Sequence, residues 1–248
     1  MQAVILAGGL ATRMRPHTLT TPKFLLPVAG RPFGAWLLER LVDAGYDDAL
    51  LCVAHLGDQV RAFAGDGSAF GLRVRYADEG ERLLGTGGAI RAALDRLAPT
   101  FLVTYGDSFL PFDYASPLAT LDAHADCDGV MSVFHNEGRW DASNTALRLD
   151  ATGEPWVGRY EKGSSDPALD HIDYGALALR REVLAAEPAG APFGLDRVQH
   201  ALAASRRLRA VVARERFFEI GSEAGLAELD RRLQAGPPFP LHARRSPT

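Results

Sequence analysis

Apolar positions in the first half of the chain fall into two kinds of run. Ala3–Leu6, Ala49–Ala54 and Phe101–Tyr105 are nearly unbroken apolar stretches of strand length, which predicts strands buried on both faces. Leu72–Ala77 alternates instead, as a strand with one wet face would. Between them, Phe33–Ala44 carries Trp36, Leu37, Leu41 and Val42 at helical spacing and closes at Gly45. Gly57–Ala64 reads as a short helix. Thr86–Leu97 puts Ala89, Ile90, Ala93, Leu94 and Leu97 on one helical stripe. Strand–helix units on short links predict an α/β fold: a single Rossmann-like, doubly wound, mostly parallel sheet with right-handed crossovers.

The second half is richer in strands and less regular. Gly129–His135, Thr145–Leu149, Trp156–Tyr160 and Ile172–Leu179 read as strands, with turns at Ala151–Gly153 and Lys162–Pro167. Leu195–Ala204 and Ser222–Gln234 read as helices. No linker or internal repeat interrupts the pattern. The expectation is one domain over residues 1–235, with a regular strand–helix part over 1–127 and a strand-rich part over 128–235. Residues 236–248 form a proline-rich tail expected to be disordered.

Composition changes this picture little. Net charge is −4, from 27 Lys and Arg against 31 Asp and Glu, so no global basic surface marks a nucleic-acid or membrane partner. No apolar run approaches the ~20 residues of a spanning helix, and the start of the chain lacks the order of a secretory leader. Cys52 and Cys127 follow no disulfide or metal spacing, which fits a reducing cytoplasm. The seven histidines show no metal spacing either.

Local charge does change the picture. The first strand stops at Ala7-Gly8-Gly9, and Arg13, Arg15 and Lys23 follow within a stretch that holds no acidic residue before Glu39. The pattern is neither a P-loop nor G-x-G-x-x-G. Bare backbone amides with fixed cations suit a polyphosphate. Asp107 ends the strand Phe101–Tyr105, where open parallel sheets collect ligands, and a hard cation bound with phosphates uses one or two such carboxylates. Arg206, Arg207, Arg209, Arg214 and Arg216 read as a solvated basic face.

The run Leu6-Ala7-Gly8-Gly9, Thr12-Arg13-Met14-Arg15-Pro16, Thr18, Pro22-Lys23, Pro27-Val28 and Pro32 resembles the signature of the sugar-1-phosphate nucleotidyltransferases. Gly85-Thr86-Gly87-Gly88-Ala89, Gly106-Asp107, Glu161-Lys162 and Phe218-Glu219-Ile220-Gly221 follow in family order, so the resemblance spans about 1–233. The Gly85–Ala89 segment looks most like the heptose- and mannose-1-phosphate guanylyltransferase branch and its N-acetylmuramate relatives. The resemblance implies a Mg²⁺-dependent enzyme that joins a nucleoside triphosphate to a sugar 1-phosphate and releases pyrophosphate.

Carried over residue by residue, Leu6, Ala7, Gly8, Gly9, Thr12, Arg13, Lys23, Gly85, Thr86, Gly87 and Gly106 would bind the nucleotide. Glu79 is a further contact for the base. Arg13 would hold the departing phosphates, and Lys23 would neutralise the α-phosphate. Asp107 would hold Mg²⁺ together with Glu219, which stands where the family usually carries Asp. Lys162 would bind the acceptor phosphate and Glu161 a sugar hydroxyl, with Asn144, Asp173 and Gly175 as further acceptor contacts. Asp173 and Tyr174 are unusual for the family and keep a non-sugar phosphate or phosphonate acceptor open. A non-catalytic nucleotide-sugar sensor is the competing class, and homo-oligomerisation stays open.

Overall fold

The computed structural model describes residues 1–9, 11–80 and 83–236. The tail read from the sequence at 236–248 therefore lies outside the described residues, apart from Gly236.

Nine strands form one sheet: β1 (Gln2–Leu6), β2 (Asp48–Val53), β3 (Arg73–Asp78), β4 (Thr100–Tyr105), β5 (Gly129–His135), β6 (Thr145–Leu149), β7 (Pro155–Tyr160), β8 (His171–Arg180) and β9 (Leu208–Ala213). Their order across the sheet is β3-β2-β1-β4-β8-β5-β9-β7-β6. The strands β3, β2, β1 and β4 are mutually parallel, as are β5 and β9, while β8 and β7 run against their neighbours. The mostly parallel α/β sheet expected from the pattern is present. The central β1 also explains the unbroken apolar runs. Ala3 and Ile5 enter one hydrophobic layer and Val4 the other, and Ala49 and Leu51 alternate with Leu50 and Cys52 in the same way.

Helices cover both faces. On the first lie α1 (Phe33–Asp43), α2 (Gly57–Ala64), α4 (Ser116–Ala123) and α7 (Glu223–Gln234), through Leu37, Val60, Leu121 and Leu229. On the second lie α3 (Gly85–Ala92), α5 (Arg181–Ala185) and α6 (Leu195–Ala204), through Ile90, Leu184 and Val198. The stripe read as one helix to Leu97 instead breaks after Ala92 and continues as a 3₁₀ turn, Leu94–Arg96. Two helices, α4 and α5, and the strand β9 carry no expectation from the sequence. In β9 the arginines hid the period: Leu208, Ala210 and Ala213 are buried between basic residues.

That strand also corrects the reading of a solvated basic face. Arg209 has only 7% of its side chain exposed and contacts Asp126 (2.9 Å), Glu154 (2.7 Å) and Asp150 (3.5 Å), with its guanidinium 4.4 Å from the Trp156 ring. A buried cation persists only when its charge is answered this fully. Arg207 pairs with Asp128, and Arg216 pairs with Glu228 while stacking on Trp140 and Phe218.

Tyr174 is likewise structural. Its side chain is buried among Phe112, Phe217 and Phe134, with ring centroids 5.5–6.3 Å away. It lies in the core and not among acceptor contacts, which removes half of the reason for an unusual acceptor. Its hydroxyl is buried without a hydrogen-bond partner. Tyr174→Phe is therefore expected to match or slightly exceed wild-type stability, and Tyr174→Ala to cost roughly 3–5 kcal/mol in denaturant unfolding.

Candidate active site

The first glycine loop grows out of the sheet. Ala7 N donates to Cys52 O at 2.9 Å, one step beyond β1, and Gly106 N donates to Leu6 O at 2.9 Å. A Cβ at Gly106 would stand 3.0 Å from Leu6 O, so glycine lets the ends of β1 and β4 close together. The chain then passes Ala11, at φ 48°, into a 3₁₀ turn, Thr12–Met14. Thr18, buried, donates its hydroxyl to Ala11 O at 2.8 Å, and Met14 is plugged into the core. A second 3₁₀ turn, Lys23–Leu25, is plugged by Phe24, whose ring fills the space a Cβ on Gly34 would need. Each cation thus precedes a buried apolar neighbour: Arg13 before Met14, Lys23 before Phe24. The anchors go in and the charges stay out.

A short antiparallel pair, Ser108–Phe109 with Phe218–Glu219, brings the end of the chain to the same place. Ile220 N donates to Asp107 O at 3.0 Å, and Lys23 Nζ donates to Asp107 Oδ2 at 2.7 Å. A Cβ on Gly221 would lie 3.5 Å from Arg13 Nη2 and 3.8 Å from Lys23 Nζ, so both cations converge over this glycine. The Glu219 carboxyl is raised above the usual range. The cleft wall that crowds it contributes most, then the charges of Asp107 and Asp141, against the opposing pull of Lys23 and Arg13. One face of Glu219 still meets solvent. Among the described residues no group of three His, Cys, Asp or Glu side chains forms a ready metal cage. The two neighbouring carboxylates Asp107 and Glu219 do fit a hard dication that draws its other ligands from phosphate and water.

A cavity of about 230 Å³ opens here, lined by Leu6, Ala7, Gly8, Gly9, Lys23, Gly106 and Asp107 together with Glu79, Gly85 and Thr86. Ala11, Phe24, Leu83, Ala89 and Tyr105 complete it. Thr12 and Gly87 lie off its walls. Glu79 Oε2 accepts from Leu84 N at 2.9 Å, and its other oxygen faces Gly8, where a Cβ would approach to 2.9 Å. In the second glycine loop two of the amides are already engaged. Gly87 N and Gly88 N both donate to Phe193 O, at 3.0 and 3.1 Å, and Thr86 Oγ1 accepts from Leu195 N at 2.8 Å. The glycines are needed here for packing, since a Cβ on Gly87 would stand 2.3 Å from the Phe193 ring. The Thr86 hydroxyl keeps its own proton as a donor.

The expected acceptor residues are spread along a neighbouring wall. Lys162 is mostly exposed, its Nζ 3.8 Å from Asp196 Oδ1. Glu161 is held by a two-pronged pairing with Arg159, at 2.7 and 2.8 Å. Asn144 spends its carbonyl oxygen internally, accepting from Thr145 Oγ1 at 2.8 Å and Asp173 N at 2.9 Å. Asp173 accepts from Gly175 N at 3.0 Å and from Gln199 Nε2 at 2.6 Å. Burial pushes its carboxyl up. Tyr105, at the end of β4, has its ring edge 3.4 Å from where a Gly175 Cβ would be, and burial, reinforced by the charges of Asp173 and Asp107, raises its phenol. The sequence reading passed over Tyr105 and Gln199. The strand-end rule that picked out Asp107 also points to Tyr105, and Gln199 is the one polar residue on the apolar stripe of α6.

Burial raises the Glu79 carboxyl, outweighing the Leu84 amide that favours its charged form. A carboxyl raised in the folded state gives stability below its unfolded pKa and loses it as pH rises through the folded one. Glu79→Gln should thus gain melting temperature relative to wild type between pH 4 and pH 7, measured as the difference between the two proteins at each pH.

The sequence profile of the nucleotidyl transferase family matches residues 2–233. A mannose-1-phosphate guanylyltransferase of Mycobacterium tuberculosis is 33% identical over 210 residues, covering 79% of this chain and 54% of that protein. An N-acetylmuramate alpha-1-phosphate uridylyltransferase of Caulobacter vibrioides is 31% identical over 248 residues, covering 93% and 96%. The chain spans 54%, 52% and 32% of the length of the first three curated relatives it matches. Among solved structures, HddC from Yersinia pseudotuberculosis superposes with a TM-score of 0.71 at 24% identity, covering 93% of this chain and 98% of that one. Likeness at that identity speaks for the fold, and the profile match across nearly the whole chain speaks for descent: the protein belongs to the nucleotidyl transferase family.

Proposed function

We propose that the protein transfers a nucleotidyl group from a nucleoside triphosphate to a sugar 1-phosphate, releasing pyrophosphate and forming a nucleoside-diphosphate sugar. The observation that carries this reading is the convergence of Arg13, Lys23 and Asp107 beside Gly221, at a cavity that Lys23 and Asp107 line together with Gly85 and Thr86. Two relatives named above act on 1-phosphates of different sugars with different bases, which supports the reaction class and leaves base and sugar to experiment.

The reaction brings several negative charges together, so catalysis consists largely of alignment and neutralisation. Leu6, Ala7, Gly8, Gly9 and Thr12 wrap the phosphates, and Arg13 grips the departing pair through its forked donors. Lys23 meets charge growing on the α-phosphate. Glu79, Gly85 and Thr86 flank the base, within the 1–127 part, and Gly87 packs behind them on Phe193. Lys162 and Glu161, with Asn144, Asp173 and Gly175 behind them, serve the acceptor in the 128–235 part. Asp107 and Glu219 would hold Mg²⁺, which supplies positive charge to the phosphates when bound. In the ligand-free chain Lys23 keeps Asp107 compensated. The setting we assign is the cytoplasm, in keeping with two buried thiols and no described helix long and apolar enough to cross a membrane. Asp173 alone still favours a non-sugar phosphate or phosphonate acceptor as a second reading.

The test is pyrophosphate release with Mg²⁺ across the common nucleoside triphosphates and a panel of sugar 1-phosphates. Release that needs both substrates is expected; none with any pair sinks the catalytic reading. Lys23→Ala should lower kcat by about 10²–10³-fold while the nucleotide KM moves far less. Asp107→Asn should abolish Mg²⁺-dependent turnover while the melting temperature of the ligand-free protein stays near wild type.

A further inference from the structure

One helix touches both ends of the cleft. α6 starts beside the second glycine loop, where Leu195 N donates to Thr86 Oγ1 and Phe193 O, two residues earlier, takes the Gly87 and Gly88 amides. Its next turns reach the other half. Asp196 lies beside Lys162, Gln199 Nε2 donates to Asp173 Oδ2 at 2.6 Å, and His200 Nδ1 sits 2.9 Å from Tyr160 O.

Gln199 is the member of this set without an assigned purpose. It has 1% of its surface exposed and stands among Leu195, Val198 and Leu202. A buried amide in such a place costs free energy unless it is partnered, and its partner is the half-buried carboxylate of Asp173. Asp173 in turn shapes the backbone. The register of β8 against β5 shifts between Asp173 and Leu177. Within that irregularity the Asp173 carboxylate accepts the Gly175 amide, and Gly175 stands at φ 94° over the Tyr105 ring. Asp173 therefore closes a bulge from the strand side, and Gln199 holds the same carboxylate from the helix side.

We propose that Gln199 is a positioning residue for the acceptor: through Asp173 it fixes the bulge at Gly175 that shapes the acceptor half of the cleft, and through α6 it ties that half to the Gly85–Gly88 loop. The inference rests on the reaction proposed above, with the acceptor lying among Tyr105, Lys162 and Asp173. A buried hydrogen bond that served stability alone would lower the melting temperature and leave the ratio of the two KM values untouched. A positioning bond moves the acceptor KM selectively.

Steady-state pyrophosphate release separates these cases, using the full chain with Mg²⁺ and the best substrate pair found for wild type. The variants are Gln199→Leu, Gln199→Glu, and Gln199→Glu combined with Asp173→Asn. Either single change should raise the acceptor KM about tenfold or more, with the nucleotide KM within about threefold of wild type. In the double variant the amide introduced at 173 donates to the carboxylate introduced at 199. The bond is rebuilt with reversed polarity, so the acceptor KM of the double variant should fall at least about threefold below that of Gln199→Glu alone. This variant also carries the test if Gln199→Leu does not fold. An unchanged acceptor KM in the single variants, an equal rise in both KM values, or a double variant no better than Gln199→Glu alone overturns the inference. A wild type inactive with every pair removes the proposed function and this inference with it, whereas an active wild type with indifferent variants removes this inference only.

Discussion

The structure turns on the 2.7 Å contact between Lys23 and Asp107. Each partner comes from a different segment, and each is delivered by burial of something else. Phe24 plugs the turn that carries Lys23, and the closure of β1 on β4 at Gly106 aims Asp107. Neither charge is fully enclosed, so the pair does little for stability by itself. Its worth lies in keeping opposite charges compensated in a cleft that otherwise gathers Arg13 on one side and Glu219 with Asp141 on the other. The electrostatics are balanced without a ligand and become unbalanced, in a defined direction, when phosphates arrive.

The parts of this design that follow from the nearest neighbours in sequence were legible beforehand. Unbroken apolar runs gave strands buried on both faces, and the acid-free stretch with Arg13 and Lys23 marked a place for anions. The parts that depend on distant partners were not legible. Arg209 reads as surface until Asp126, Asp150 and Glu154 are seen around it, because a charge is buried only by virtue of its partners. The amides of Gly87 and Gly88 read as ligand donors until Phe193, more than a hundred residues later, takes them. Tyr174 reads as a hint of an unusual acceptor because a strand pattern does not reveal a bulge, and the bulge decides which face each side chain takes.

These corrections have one direction. Polar groups that a local reading assigns to a ligand are, in the fold, spent on holding the ligand's surroundings. Asn144 and Asp173 both lie where the acceptor is proposed to sit, and both spend oxygens internally, Asn144 on the Thr145 hydroxyl and the Asp173 amide, Asp173 on the Gly175 amide and Gln199. Pre-arranged surroundings of this kind reduce the ordering that substrate binding must impose, which is where much of the gain in an alignment-driven reaction comes from.

The small strand pair Ser108–Phe109 with Phe218–Glu219 carries a consequence for the life of the chain during synthesis. It joins a residue from the first half to one just before the last helix. A nascent chain emerging from the ribosome can complete the glycine loop and display Asp107 well before Glu219 exists. Through that interval the basic loop lacks the Glu219 carboxylate. Contacts of such long sequence separation form late, and a chain cut just ahead of Phe218 would lack both the Glu219 carboxylate and the core residues Leu229 and Leu233 of α7.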